Sequence, residues 1–210
     1  MACQTASLAF PQSLADKYRP QSIADFCGLE KQKKILSKLA GNPRSCALLF
    51  VGSPGTGKTS MAYAFASAIG AEVHHIGSQE CKLETLADLT RTCQFVPLSG
   101  GFHVCIVDEA DVMSDAAQKY LLSKLDSTET CPNTVWIFTC NSVERLEERF
   151  LSRCIKLEFN SYGASDQITE LLARIWKTET GEDNTPNLKK VICGNVRESL
   201  MRLEVEILSV

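Results

Sequence analysis

Apolar residues in this chain gather in short continuous runs, separated by stretches whose apolar positions recur at helical spacing. Cys46-Ala47-Leu48-Leu49-Phe50-Val51, His103-Val104-Cys105-Ile106-Val107 and Thr134-Val135-Trp136-Ile137-Phe138-Thr139-Cys140 have strand length and β-branched or aromatic content. Runs without polar alternation read as strands buried on both faces. Shorter strands are expected at Glu72–Ile76 and near Ile155–Leu157. Helices are predicted from Glu30 to Leu39, closed by Gly41-Asn42-Pro43, and from Ser60 to Ile69, where alanines dominate and Gly70 ends the run. Two more are predicted from Leu83 to Cys93 and from a Ser114-Asp115 cap to about Leu125. Strands alternating with helices predict an α/β fold, a parallel five-stranded sheet flanked by helices. Beyond Asn160-Ser161-Tyr162-Gly163 only helices are suggested, over Ser165–Thr178, Asn187–Cys193 and Asn195–Leu208. The chain therefore divides into an irregular arm (1–29, with Pro11 and Pro20), a sheet domain (30–160) and a small all-helical lid (161–210). About fifty residues cannot build a large core alone, so the lid is expected to lean on the sheet domain.

The strand ends carry the chemistry. Gly52-Ser53-Pro54-Gly55-Thr56-Gly57-Lys58-Thr59 fits G-x-x-x-x-G-K-[ST], between a predicted strand and the helix that begins near Ser60. Glycines let backbone N–H groups turn onto phosphate oxygens, and the helix N-terminus adds partial positive charge there. Lys58 is expected to reach the β- and γ-phosphates of ATP, and the Thr59 hydroxyl to hold Mg²⁺. Asp108 leaves the strand that ends at Val107, as an aspartate that helps bind Mg²⁺ does, and the adjacent Glu109 is placed to polarise a water as general base. Asn141 ends the fourth strand, where ligands of parallel sheets sit, and its amide could hold that water or the γ-phosphate.

Size and composition change this picture little. The chain has 210 residues, and a net charge of −3 gives no global case for nucleic-acid binding. No apolar run approaches a membrane span, and Met1–Ser7 lacks the pattern of a signal peptide, so a cytoplasmic, nucleoid or nuclear setting without membrane partners is expected. Ten cysteines are many, yet none forms a C-x-x-C pair and none of the three histidines stands beside such a pair. Reduced thiols, several serving as small buried hydrophobes, are therefore expected rather than a zinc site or disulfide framework.

Taken together, Gly52–Thr59, Val107-Asp108-Glu109-Ala110-Asp111, Asn141 and Ser152-Arg153-Cys154 resemble the AAA+ ATPases of the clamp-loader group, above all replication factor C small subunits and the phage clamp-loader ATPase. Leu14-Ala15-Asp16-Lys17-Tyr18-Arg19-Pro20 is similar to their K-Y-R-P arm, and Gly194-Asn195-Val196-Arg197 to their lid motif; the resemblance runs from about Leu14 to Leu203. It implies an ATPase that works in an oligomer with other AAA+ subunits and loads a sliding clamp onto primer-template DNA during replication. It also implies that Arg153 is an arginine finger acting on a neighbour's γ-phosphate, Arg197 a lid sensor in cis, Asn141 the first sensor, and Tyr18, Arg19 and Pro20 the lining of the adenine pocket. Within 210 residues the sequence reads as lacking the family's C-terminal collar, and Leu122-Ser123 stands where two arginines are usual. Lys82, in a segment similar to one that approaches template DNA, is the expected phosphate contact. These departures favour an alternative, a nucleotide-dependent assembly adaptor with little ATPase activity of its own. A small-molecule kinase would need an acceptor pocket that nothing in the sequence provides.

Overall fold

The computed structural model describes residues 12–98, 100–126, 131–160, 164–182, 187–193 and 195–209. Five strands, β1 (Cys46–Gly52), β2 (Glu72–Ile76), β3 (His103–Val107), β4 (Thr134–Cys140) and β5 (Ile155–Phe159), form one sheet in the order β2-β3-β4-β1-β5. Every pairing is parallel. Alternate side chains leave opposite faces of a strand, and here both faces are buried. Leu49, Cys105, Val107, Trp136 and Phe138 pack on one side, while Leu48, Phe50, Val104, Ile106 and Ile137 pack on the other. That double burial is why the runs in the sequence show no alternation.

The helices are α1 (Leu14–Lys17), α2 (Glu30–Gly41), α3 (Lys58–Ala68), α4 (Leu83–Thr92), α5 (Asp115–Leu125), α6 (Glu148–Leu151), α7 (Ser165–Thr180), α8 (Leu188–Val191) and α9 (Val196–Leu208). Ser114 caps α5 as expected, its hydroxyl accepting the Ala117 N–H. Several details differ from the expectations. Helix α3 begins at Lys58, inside the glycine loop, rather than at Ser60. The arm holds a short helix, α1, and a 3₁₀ turn at Ile23–Asp25. Neither α6 nor these turns is long enough to leave a periodic signal, and α8 is shorter than the Asn187–Cys193 segment. The Ser161–Gly163 boundary, Gly194 and residues 1–11 lie outside the described residues.

A third core lies away from the sheet, where Ile168, Leu172, Ile175 and Trp176 of α7 meet Leu200 and Leu203 of α9. Leu14 of the arm is buried in it, whereas Ile23 and Phe26, only a few residues later, are buried against the sheet. The arm thus straps the helical region to the sheet domain. Its clasp is Glu179 of α7, which accepts hydrogen bonds from the Tyr18 hydroxyl and from Lys17 Nζ. Burial, then the bond to Glu179, pushes the Tyr18 phenol up to about 12, and the Lys17 bond, then Tyr18, holds the Glu179 carboxyl below its ordinary value. A lowered carboxylate contributes stability above its ordinary pKa and loses it as pH falls; a raised phenol loses its share as pH climbs from about 10 towards 12. Lys17 is half exposed, so its share is screened. Glu179→Ala is expected to cost about 1 kcal/mol at pH 7, or about 2–4 °C in melting temperature. Melting curves at pH 7 and pH 3 check this: the gap between variant and parent should shrink in acid.

Candidate active site

The sheet order brings the three chemistry-bearing strand ends side by side. β1 ends at Gly52, β4 before Asn141 and β3 before Asp108, and β4 lies between the other two. A side chain at Gly52 would place its Cβ 2.0 Å from the Phe159 carbonyl oxygen, so only glycine lets β1 leave the sheet beside β5. Gly55, at φ 78°, occupies the left-handed region, and a Cβ there would meet the Asn195 side chain at 2.6 Å. Asn195 in turn caps α9, accepting the Glu198 N–H. The loop and the lid therefore touch through one capping residue, two positions before Arg197.

Lys58 is 9% exposed, and its ammonium donates to the Gly52 carbonyl at 2.6 Å, the Ser53 carbonyl at 3.0 Å and Asn141 Oδ1 at 3.1 Å. Among the described residues it forms no ion pair. Burial pushes its pKa down; Cys140, Asp111 and Asp108 oppose that shift and Arg197 adds to it. A buried cation with only neutral partners favours an anion beside it. Asp111 adds an unmet need nearby, since its Oδ1 is buried with no hydrogen-bond partner among the described residues.

Asp108 Oδ1 accepts from the Thr59 hydroxyl at 2.9 Å and the Thr139 hydroxyl at 2.8 Å. Glu109, at φ 52° and ψ 48°, turns the chain sharply after Asp108, and its N–H donates to Thr139 Oγ1 at 3.2 Å. A bulky residue in the left-handed region is uncommon and marks a position fixed by its surroundings. The carboxylate of Asp108 and the hydroxyl of Thr59 are hard oxygen donors within 2.9 Å, a set that fits Mg²⁺. The buried unpaired Lys58 and the glycine cradle at the start of α3 fit a polyphosphate by the same test.

A cavity of about 1560 Å³ adjoins the loop, ample by the standard of small-molecule pockets. Tyr18, Arg19, Pro20, Gly57, Ser60 and Arg197 are among the residues that line it. Tyr18, Arg19 and Pro20 of the arm, Gly55, Thr56, Gly57 and Ser60 of the loop, and Arg197 of α9 thus face one space, whereas Lys58, Thr59, Asp108, Glu109 and Asn141 are not among the residues that line it. Nor is Arg153. It follows α6, its Nη1 donates to the Arg149 carbonyl at 2.9 Å, and its Nη2 pairs with Asp126 at 3.2 Å. Lys82 is exposed at the N-cap of α4, also outside the cavity.

Nothing in the sequence pattern pointed to His75. Its Nε2 lies 2.8 Å from Asp108 Oδ2, the oxygen that Thr59 and Thr139 leave open. The contact exists because β2 lies beside β3, an adjacency that only the sheet order reveals. A cation bound through Asp108 would have to displace His75 from that oxygen. His75→Ala is expected to lower the Mg²⁺ concentration for half-maximal ATP turnover roughly fivefold, the worth of one hydrogen bond of about 1 kcal/mol. A magnesium titration of turnover checks it.

Residues 48–162, more than half of the chain, match the ATPase family associated with various cellular activities (AAA). The chain belongs to this family. Among curated relatives, human replication factor C subunit 4 is 28% identical over 93% of this chain and 58% of its own length. Replication factor C small subunit 1 of Pyrobaculum arsenaticum is 30% identical over 90% of this chain and 60% of its own. The sliding-clamp-loader large subunit of Escherichia phage RB69 is 32% identical over 74% and 49%. The AAA chain thus spans 49–60% of the length of these relatives. The fold recurs in the Thermotoga maritima RuvB Holliday junction branch migration motor, with a TM-score of 0.70 at 24% identity, over 88% of this chain and 63% of that one. The parallel sheet with its helical C-terminal region is the AAA architecture. No helix among the described residues is long and apolar enough to cross a membrane.

Proposed function

We propose that this AAA chain hydrolyses ATP as a clamp-loader-type subunit, acting with other AAA+ subunits to close a sliding clamp around primer-template DNA. The observation that carries the reading is the buried Lys58, held by Gly52, Ser53 and Asn141 with no carboxylate paired to it. In this account Lys58 and the N–H groups of Gly55, Gly57 and Ser60 hold the β- and γ-phosphates, and Tyr18, Arg19 and Pro20 border the base. Thr59 and Asp108 hold Mg²⁺, which when bound neutralises charge on the phosphate oxygens. Glu109 accepts a proton from the attacking water, Asn141 orients that water, and Arg197 reports the nucleotide to the lid. Arg153, held on the Arg149 carbonyl and Asp126, serves the site of a neighbouring subunit. The division into arm, sheet domain and lid belongs to the same reading, with the arm as the strap between the other two.

The relatives named as replication factor C subunits and as a sliding-clamp-loader subunit support the choice of clamp and DNA as partners. Lys82 at the exposed N-cap of α4 is the proposed phosphate contact. Exposed Phe95, Val96 and Leu98, on the connection from α4 to β3, form an apolar surface suited to a protein partner. Retention of a labelled clamp on circular primed DNA tests the reading. Retention should require ATP and the chain, and Lys58→Ala should abolish it. ATP-dependent assembly with no clamp retained would overturn loading and leave the adaptor role.

A further inference from the structure

The amino-terminal end of β3 lies about 13 Å along the strand from the nucleotide side, at about 3.3 Å per residue. There the fold gathers three side chains far apart in sequence: His74 of β2, Cys93 just after α4, and His103 at the start of β3. Their ligand atoms all lie within 4.8 Å of one another. Cys93 is 0% exposed and His103 2%, while His74 is half-buried.

The proton arrangement suits a cation. His103 Nε2 lies 3.0 Å from the Phe95 carbonyl oxygen, which can only accept, so the proton sits on Nε2 and Nδ1 keeps a bare lone pair. That Nδ1 accepts the His74 Nε2–H at 3.0 Å, and a bound cation would take that proton's place, with the His74 proton moved to its Nδ1. A carbonyl fixing the far nitrogen is the usual support of a metal-bound histidine. Cys93 Sγ lies 3.5 Å from Cys105 Sγ and is fully buried. A hydrogen-bonded imidazole pair accounts for the two histidines alone; it gives no role to the buried thiol whose sulfur lies within 4.8 Å of both.

We propose that His74, Cys93 and His103 bind a zinc-class divalent cation, with the Glu72 carboxylate or a water at the fourth position. Two imidazoles and a thiolate suit a borderline-soft ion, and one open position is compatible with three protein ligands. Bonds of about 2.0–2.3 Å put tetrahedral ligand atoms about 3.3–3.8 Å apart, so closing the site takes a shift of about an ångström or less. Glu72 approaches His74 Nε2 to 3.9 Å, and its other oxygen accepts the Leu98 N–H at 2.9 Å. The ion would pin the end of α4 to β2 and β3, directly beneath the connection that displays Phe95, Val96 and Leu98.

Cobalt(II) titration of the full chain tests this, with excess Mg²⁺ to occupy oxygen sites and a phosphine reductant to keep thiols reduced. One cobalt per chain should bind with a thiolate-to-cobalt charge-transfer band, and zinc should displace it. Cys93→Ala should abolish the band, and His74→Ala should weaken binding at least about tenfold. Circular dichroism and nucleotide binding report whether each variant folds; should Cys93→Ala fail to fold, the half-buried His74→Ala decides. His75→Ala should leave the band unchanged. Absence of stoichiometric binding, a band that survives in folded Cys93→Ala, or unaltered affinity in His74→Ala would overturn the site.

Discussion

Arg153→Ala is expected to lower ATP turnover in the assembled state by about 10³-fold or more, while each chain still binds ATP within a few-fold of normal affinity. A guanidinium offers a planar fork that neutralises charge growing on the transferred phosphoryl oxygens, and supplying it is worth about 10³–10⁵ in rate. In the single chain that fork rests on Asp126 and the Arg149 carbonyl, with the side chain 32% exposed. An ion pair this exposed is worth about 1 kcal/mol or less. It therefore parks Arg153 without trapping it, and alanine should leave the melting temperature nearly unchanged. Loss of rate without loss of stability or ATP affinity separates an arginine acting on a neighbour from one that merely braces α6. Steady-state turnover, equilibrium nucleotide binding and melting curves on the same preparation check it. Arg153→Lys should recover only part of the rate, because a point charge lacks the fork.

Glu109→Gln is expected to lower turnover by about 10²–10⁴-fold, the range for a general base, and to leave ATP bound. Lys58, Thr59 and Asp108, which hold phosphate and Mg²⁺ in the account above, keep their contacts in this variant. Glutamine has the same shape and meets the same left-handed backbone, so the turn after Asp108 should survive. Single-turnover measurements on pre-bound ATP distinguish slowed chemistry from slowed release: only the chemical step should fall. Lys58→Ala should differ in kind. It removes a buried cation that ties Gly52, Ser53 and Asn141 together, so binding itself should fail.

The centre of the sheet was legible in the sequence because its strands are buried on both faces, which leaves apolar runs too dense to mistake. Strands β3 and β4 occupy the expected residues for that reason; β2, an edge strand with one buried residue, also does but without that signal. The phosphate loop was legible because glycine, lysine and threonine at fixed spacing answer to local backbone geometry. What stayed hidden depends on which strand lies beside which. His75 meets Asp108 only because β2 borders β3. The same adjacency gathers His74, Cys93 and His103, whose spacing in the chain is too wide to resemble a ligand motif. The strap of Leu14 and Glu179 was hidden too, since one buried leucine and one carboxylate in a short irregular segment have no period.

In the proposed function two chains build one site, with Lys58, Glu109 and Asn141 from one and Arg153 from the next. Turnover measured against protein concentration, with molar mass followed by light scattering in the same samples, tests it most directly. The monomer should bind ATP but turn over negligibly, and activity should appear only with ATP-dependent assembly and vanish in Arg153→Ala. Brisk hydrolysis by a demonstrated monomer, unaltered by Arg153→Ala, would contradict it.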